Sequence, residues 1–243
     1  MDTHDIAEAY TVVPVAAPPL ADEEYAAVLR ADFTDHYAHG RDIWTGEEAM
    51  RETPRILLAA LADVRDAHIL DIGTGHGRDA AILLAGGHRV TGIDLVASDE
   101  WAGLRARWPG RARFGAAELT EPGELTGARQ YDAVLDNGCL HHQHPDRYPA
   151  YLRRVHELLH PGGLLTVSVF HSAAERGDLF VNGGRRLYRE FTEAELAGLL
   201  TAHGFSVVEL RTVPRGRDAL HYLVGTFRST PAATTDADAD ELT

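Results

Sequence analysis

Hydrophobic residues follow two different periods along this chain, and the alternation of the two predicts an α/β fold. Short apolar runs typical of buried strands recur at residues 68–72, 89–95, 112–116, 131–136 and 163–170. Helical spacing separates them at residues 78–85, 99–107 and 146–160. Strands that alternate with helices predict a parallel sheet covered by helices on both faces, which is a three-layer architecture.

The first 64 residues precede this alternation and are predicted to form an N-terminal helical cap or lid. Residues 1–20 include a Pro/Ala-rich piece that we expect to lie over the surface. Helical spacing follows from Ala21, and again over about 46–62. The main domain is therefore predicted to span residues 65–229.

The second half of the chain departs from the alternation once. Residues 171–191 are a polar insertion containing Gly and Arg, which we predict on the substrate side. Thr192 and Glu195 have the spacing of a capping box at the start of a helix. Two more strands are predicted, at residues 205–213 and 218–227. The acidic tail, residues 230–243, has the composition of a disordered segment.

Composition and charge narrow the class of protein. The formal net charge is −14, so the chain repels polyanions, and no Arg-rich stretch with interleaved aromatics points to nucleic acid. A single cysteine, Cys139, excludes a disulfide framework and suits a reducing compartment. No signal peptide and no apolar run of about 18 residues is evident. We expect a cytoplasmic protein without nucleic-acid or membrane partners, and leave a homodimer open.

The chain has 23 arginines and no lysine. Three common sites require a lysine: the Walker P-loop, the pyridoxal Schiff base and the Tyr-x-x-x-Lys pair of short-chain dehydrogenases. The sequence therefore excludes all three.

A glycine-rich loop, residues 71–77 (DIGTGHG), lies between the first predicted strand and its helix. Glycines at such a turn let a ligand lie against bare backbone. Dinucleotide-binding folds space them G-x-G-x-x-G, but here the third glycine is Gly77 and Arg78 follows it. Asp94 ends the next strand, where a carboxylate can accept from ribose hydroxyls. A helix N-cap is the alternative role for Asp94.

The G-x-G-x-G loop, with Asp71 two residues before its first glycine, resembles motif I of the class I methyltransferases that depend on S-adenosylmethionine (SAM). The resemblance covers about residues 65–170 well and the C-terminal strands loosely. It implies a Rossmann-like seven-stranded mixed sheet whose last strand pair is antiparallel. The resemblance assigns the cofactor site to Asp71, Gly73, Thr74, Gly75, Gly77, Arg78, Asp94, Leu95, Ala117, Glu118, Leu119, Asn137, Gly138 and His142.

Two segments carry the family's remaining site features. Residues 114–119 resemble the adenine-binding segment, where Glu118 either accepts from the adenine amino group or points to solvent. Residues 136–142 resemble the segment that faces the transferable methyl, and their Asn-Gly-Cys-Leu departs from the motif of DNA amino-methyltransferases.

Asn137, His141 and Tyr188 are the candidate catalytic residues. A histidine here is a candidate general base, with packing or cofactor contact as the alternatives. A metal held by His141, His142 and His144 is not expected, because adjacent histidines on a regular helix do not face one point.

Tyr37 and Trp44 are candidates for an aromatic lid, since aromatic faces attract a sulfonium, although helix packing would also explain them. Arg186 is a candidate for binding an acidic substrate, or else part of a solvated basic patch.

These features predict a SAM-dependent methyltransferase that acts on a small molecule by in-line transfer in a desolvated pocket. Two alternatives stay open. One is an enzyme that uses SAM for non-methyl chemistry, namely cyclisation or aminocarboxypropyl transfer with release of methylthioadenosine. The other is a non-catalytic SAM-binding protein.

Overall fold

Ten strands and six α-helices make up the computed structural model, which describes residues 11–121, 123–127, 131–215 and 220–231. The strands are β1 (Val12–Pro14), β2 (His68–Ile72), β3 (Arg89–Asp94), β4 (Ala112–Ala116), β5 (Tyr131–Asn137), β6 (Leu159–His171), β7 (Leu179–Asn182), β8 (Leu187–Phe191), β9 (Phe205–Pro214) and β10 (His221–Ser229). The helices are α1 (Asp22–Ala38), α2 (Glu52–Ala60), α3 (Arg78–Ala85), α4 (Glu100–Arg107), α5 (Tyr148–Leu158) and α6 (Glu193–Thr201).

The centre of the sheet is parallel, in the order β4–β3–β2–β5–β6. β10 pairs antiparallel with β6, and β9 pairs antiparallel with β10. These seven strands are the mixed sheet that the sequence predicts, including its antiparallel edge. The Rossmann-like α/β fold is thereby confirmed.

Three additional strands extend the sheet and correct the expectation of seven. β8 pairs in parallel with the last residues of β6, through Phe170↔Glu190 and His171↔Phe191. β7 pairs antiparallel with β8, and β1 with β7. The insertion at 171–191 is thus partly sheet, and so is the segment expected merely to lie over the surface. The reason is burial, because Leu179 and Leu187 pack against α1.

Helices cover both faces of the sheet and divide the core in two. α5 and α6 pack on one face, with Leu152, Val155 and Leu196 buried against β5 and β6. α2, α3 and α4 cover the other face, where Leu83 and Trp101 are buried. This arrangement leaves the carboxyl ends of the parallel strands open towards α1.

The N-terminal segment is helical over α1, but the helix predicted at about 46–62 is shorter. Two 3₁₀ turns, Ile43–Gly46 and Glu48–Arg51, come before α2 begins at Glu52. Pro54 lies in the first turn of α2, where its missing N–H costs no helical hydrogen bond. The proline therefore suits a helix that starts at this point.

Three sequence predictions fall partly outside the described residues: the N-terminal surface segment at 1–10, the start of the last predicted strand at 218–219 and the tail from residue 232 onward. In the part of the chain that the structure describes, no helix is long and apolar enough to cross a membrane.

Candidate functional site

A cavity of about 620 Å³ opens at the carboxyl ends of β2, β3 and β5, beneath α1. Ligand pockets are typically a few hundred to about a thousand Å³. The predicted site residues that line it are Tyr37, Trp44, Gly73, Asp94, Leu95, Ala117, Glu118, Leu119, Asn137, Gly138, His141, His142, Arg186 and Tyr188. Most of the predicted site thus meets in one place.

The glycine loop reaches the cavity at Gly73, whereas the predicted site residues Gly75 and Gly77 do not line it; the backbone conformation of all three favours glycine. Gly73, Gly75 and Gly77 have φ values of +66°, +53° and +80°. A Cβ on Gly73 would collide with the sulfur of Cys139, and one on Gly75 would lie 2.9 Å from the hydroxyl oxygen of Tyr37. A Cβ on Gly77 would collide with the side chain of Leu104, so the packing around the loop also excludes a larger residue at these positions.

Asp71 and Thr74 support the loop from behind and do not line the cavity. The Thr74 hydroxyl donates to the Asp71 carboxylate at 2.6 Å. Burial, together with the nearby carboxylate of Asp79, raises the pKa of Asp71. Direct cofactor contact by these two residues stays a prediction.

Asp94 is held with its carboxylate at the cavity wall. One oxygen accepts from the backbone N–H of Gly75 at 2.9 Å, and the other accepts from that of Val96 at 3.0 Å. Burial raises the pKa of Asp94, while these N–H groups oppose the rise. The carboxylate is therefore fixed in place by the backbone and has lone pairs left for a diol.

Arg78 binds protein groups instead of facing the cavity. Its guanidinium donates to Asp79 at 2.7 Å and to the carbonyl oxygen of Trp44 at 2.7 Å. Asp79 in turn accepts from the Asn137 amide at 2.5 Å, and that amide also donates to the carbonyl of Met50 at 2.8 Å. Asp79 was not among the predicted site residues. Through Arg78 and Asn137 it joins the turn at Trp44 to the end of β5.

The end of β5 presents polar atoms to the cavity. The Asn137 Oδ1 is buried and has no hydrogen-bond partner among the described residues. Gly138 has φ +105°, so the chain turns sharply there. Cys139 donates its thiol to the carbonyl of Ile72 at 3.3 Å, and burial raises its pKa well above the usual value. That thiol is not an activated nucleophile.

Glu118 lines the cavity from the loop after β4. Its carboxylate lies 3.8 Å from the guanidinium of Arg30 on α1, and its side chain is 22% exposed. The backbone N–H of Ala117 donates to the carbonyl of Asp94 at 2.9 Å. This places the predicted adenine segment beside the predicted ribose carboxylate.

His141 and His142 both reach the cavity, contrary to the argument from helix geometry, because a 3₁₀ turn (Leu140–His142) carries them. Their ring centroids are 4.2 Å apart. His142 is bound through Nδ1 to the carbonyl of Leu187 at 2.7 Å, whereas the Nδ1 of His141 is buried without a partner among the described residues.

Burial and the positive charges of Arg186 and Arg215 lower the pKa of His141 to about 3. The imidazole is therefore neutral at pH 7, and in this environment it is a weak proton acceptor.

Arg186 is buried, so the alternative of a solvated basic patch is wrong. It is 1% exposed, forms an ion pair with Asp32 at 3.0 Å, and donates to the Tyr188 hydroxyl. Its guanidinium carbon lies 4.5 Å from the centroid of Phe33 and 5.5 Å from that of Trp44. The segment predicted as a lid and the insertion thus meet at this arginine.

A second wall of the cavity is formed by residues that the sequence did not predict as site residues. The ring of Phe170 is nearly parallel to that of Tyr222, at 5.7 Å and 21°. Arg215 lies 5.4 Å from the Phe170 centroid and binds Glu47 at 3.1 Å. Glu47 also accepts from the Tyr222 hydroxyl at 3.0 Å. Only strand pairing brings these residues together, since 175 positions separate Glu47 from Tyr222.

This combination of a glycine cradle, a fixed carboxylate on the next strand and a cavity at the strand ends defines a Rossmann-like nucleoside-binding enzyme fold. The sequence model of the family described as "Methyltransferase domain" matches residues 37–210, and the chain belongs to that family. The prediction of a SAM-dependent methyltransferase that acts on a small molecule is confirmed.

A solved structure of another protein supports this assignment. A 1,6-didemethyltoxoflavin-N1-methyltransferase from Burkholderia thailandensis, solved with 1,6-didemethyltoxoflavin and S-adenosylhomocysteine bound, is 53% identical. The match covers 90% of this chain and 95% of that one, with a TM-score of 0.85. No curated protein matches the sequence of this chain.

More distant structures share the fold alone. A SAM-dependent methyltransferase from Mesorhizobium loti is 20% identical, with a TM-score of 0.57 over 76% of this chain and 99% of that one. Another, from Methanosarcina mazei, is 22% identical, with a TM-score of 0.56 over 69% of this chain and 94% of that one.

Proposed function

We propose that this enzyme transfers the methyl group of SAM to a ring nitrogen of a planar heterocycle of the 1,6-didemethyltoxoflavin type. The observation that carries the proposal is the aromatic lining of the cavity opposite the glycine loop, taken with the 53% identical N1-methyltransferase. Flat aromatic walls favour a flat ligand, because rings stack with little lost conformational freedom.

The residues of the glycine-loop end fit SAM. Gly73 lines the cavity with bare backbone, and Asp94 lines it with a carboxylate that can accept from ribose hydroxyls. The unpartnered Oδ1 of Asn137 is an acceptor for an ammonium or N–H group nearby. When bound, SAM supplies an activated methyl on a sulfonium, so the protein has mainly to align the acceptor and exclude water.

The aromatic end would hold the acceptor. Phe170 and Tyr188 present nearly parallel rings with centroids 6.0 Å apart. The His141 ring stacks on Phe170 at 4.0 Å, and Trp44 closes the cavity from the lid. We expect a planar acceptor to lie along these faces.

Incubation with SAM and 1,6-didemethyltoxoflavin tests the proposal. Mass spectrometry should detect the heterocycle with one added methyl and an equal amount of S-adenosylhomocysteine. Formation of methylthioadenosine would instead support the non-methyl alternative, and absence of turnover with this heterocycle would contradict the proposed acceptor class.

A pair of variants separates the acceptor site from the cofactor site. Phe170→Leu should raise KM for the heterocycle and leave S-adenosylhomocysteine affinity unchanged, because the ring lies at the acceptor end. Trp108→Leu, which alters a partly buried residue in the core beneath α4, should change neither value. A homodimer and a cytoplasmic location stay predictions from the sequence.

A further inference from the structure

Two arginines approach the acceptor end of the cavity from different parts of the chain, Arg186 directly before β8 and Arg215 directly after β9. The ring of Phe170 on β6 lies within about 22° of parallel to that of Tyr188 on β8 and to that of Tyr222 on β10. Arg186 lies 5.0 Å from the centroid of Tyr188, and Arg215 lies 5.2 Å from that of Tyr222. A flat aromatic layer is thus flanked by a guanidinium group at each end.

Each arginine is paired with one carboxylate, Asp32 for Arg186 and Glu47 for Arg215. The other titratable side chains that line this end are Glu190, His142, His171 and His221. Glu190 is half-buried, and desolvation together with Asp178 raises its pKa. Its carboxylate lines the same end of the cavity as the two arginines.

His141 lines the same end of the cavity as Arg186 and Arg215. Burial is the largest cause that lowers the pKa of His141, and the charges of Arg186 and then Arg215 lower it further. Both positive charges therefore act at the position of this ring. A ligand group placed against that ring would have its own proton affinity lowered in the same way.

We propose that the acceptor heterocycle binds as its conjugate base, stabilised by Arg186 and Arg215, so that methyl transfer needs no general base from the protein. This inference rests on the proposed function, from which it takes the acceptor class. The acceptor N–H proton leaves to bulk solvent as the ligand binds.

The methyl-transfer step then balances without a further proton movement. The ring nitrogen forms the N–C bond with the methyl carbon, the C–S bond breaks, and its electron pair goes to sulfur. A negative acceptor and a positive sulfonium become two neutral groups, which a dry pocket favours because separated charges cost most at low dielectric. A neutral His141 is consistent with this scheme, since it is not asked to take a proton.

Proton release on binding tests the proposal directly. Titration calorimetry of 1,6-didemethyltoxoflavin into enzyme saturated with S-adenosylhomocysteine is run in two buffers of different ionisation enthalpy, below the pKa of the free heterocycle. We expect release of about one proton per site. Zero release would overturn the proposal, whether the neutral heterocycle binds or Glu190 retains the proton.

Two variants should shift the pKa of the bound heterocycle in opposite directions. Arg215→Gln should raise the pKa of the bound heterocycle by about one unit, which is a tenfold loss of the ionised form. Glu47→Gln should lower that pKa. Arg211→Gln is the matched control, because Arg211 forms an exposed ion pair with Glu209 on the same strand. If Arg215→Gln and Glu47→Gln shifted the pKa of the bound heterocycle in the same direction and by the same amount, the proposal would be contradicted. The ion pair of Arg215 and Glu47 would then have a structural role alone.

The pH profile of kcat/KM gives a second readout. It should rise with pH following the ionisation of the heterocycle, and His141→Gln should keep that rise. Loss of the rise in this variant would identify His141 as a base and overturn the proposal. Failure of the wild type to bind or methylate the heterocycle would instead overturn the proposed function, and the two results are distinguishable.

Discussion

Asp94 joins the two parts of the predicted cofactor cradle, because its carboxylate accepts from the glycine loop and lines the cavity. Asp94→Ala should weaken SAM binding by about 1–3 kcal/mol, the range for a lost charged hydrogen bond. Titration calorimetry measures the change.

Asp99→Ala is the control for Asp94→Ala, since Asp99 is exposed at the start of α4 and makes no capping hydrogen bond. It should bind SAM as the wild type does. Unchanged affinity in Asp94→Ala would remove the ribose role of this carboxylate.

His141 should make the protein sensitive to acid. Its pKa falls from 6.5 to about 3 in the folded state, so the unfolded chain binds more protons in that window, and unfolding becomes easier as pH falls. Relative to His141→Gln, the wild type should lose up to about 1.4 kcal/mol of unfolding free energy per pH unit there. Urea unfolding across the window measures the difference.

The exposed His160 gives the control for the acid experiment. His160→Gln is unfolded under the same conditions, which gives the effect of exchanging an exposed histidine for glutamine. A free-energy difference between the wild type and His141→Gln that does not change with pH would mean that the buried imidazole is protonated without cost.

At the scale of elements, α6 depends on a cap that also fixes the insertion. The Thr192 hydroxyl accepts from the backbone N–H of Glu195 at 3.1 Å, and the Glu195 carboxylate accepts from the backbone N–H of Thr192 at 2.9 Å. The same carboxylate accepts from the backbone N–H of Gly177 at 2.8 Å and from the guanidinium of Arg189 at 2.8 Å. The capping box predicted from the sequence is therefore present. Its glutamate additionally holds both ends of the segment that contains β7 and β8.

Thr192→Ala should cost about 1 kcal/mol of unfolding free energy, as for other N-caps. Glu195→Ala should cost more, since it releases the insertion as well as the helix. Chemical denaturation compares both with Glu193→Ala, an exposed residue in the same turn. A Glu195→Ala loss no larger than that of Thr192→Ala would show that the contacts to Gly177 and Arg189 add nothing.

At the scale of the whole molecule, one hydroxyl ties α1 to the rest of the fold. The Tyr25 hydroxyl donates to the carbonyl of His142 at 2.6 Å and accepts from the N–H of Leu187 at 2.9 Å. It connects the lid, the turn after β5 and the insertion. All three segments contribute to the walls of the acceptor end.

Tyr25→Phe should lower the unfolding free energy by about 1–3 kcal/mol, because it leaves two buried backbone groups without partners. Tyr148→Phe is a matched control, since the Tyr148 hydroxyl is buried without a hydrogen bond among the described residues. Its removal should be neutral or stabilising. Thermal and urea unfolding measure both, and equal losses would contradict the account.

Local patterns in the sequence predicted the central sheet closely. The runs at 68–72 and 112–116 coincide with β2 and β4, and the helix at 78–85 coincides with α3. The glycine loop and Asp94 were found because strand, turn and helix follow each other directly there. Predictions were less complete in the insertion, where β7 and β8 are short, pair with each other and join the sheet through the distant strands β1 and β6.

The sequence by itself determined the class of enzyme, because the residues that cradle the cofactor lie on consecutive elements and have a fixed spacing. The tertiary structure alone decided the acceptor end, where α1, β6, β8, β10 and the residue after β9 contribute one to three side chains each. It also decided that Arg186 is buried and His141 neutral. Burial and charge depend on which distant groups surround a side chain, and no local spacing records them.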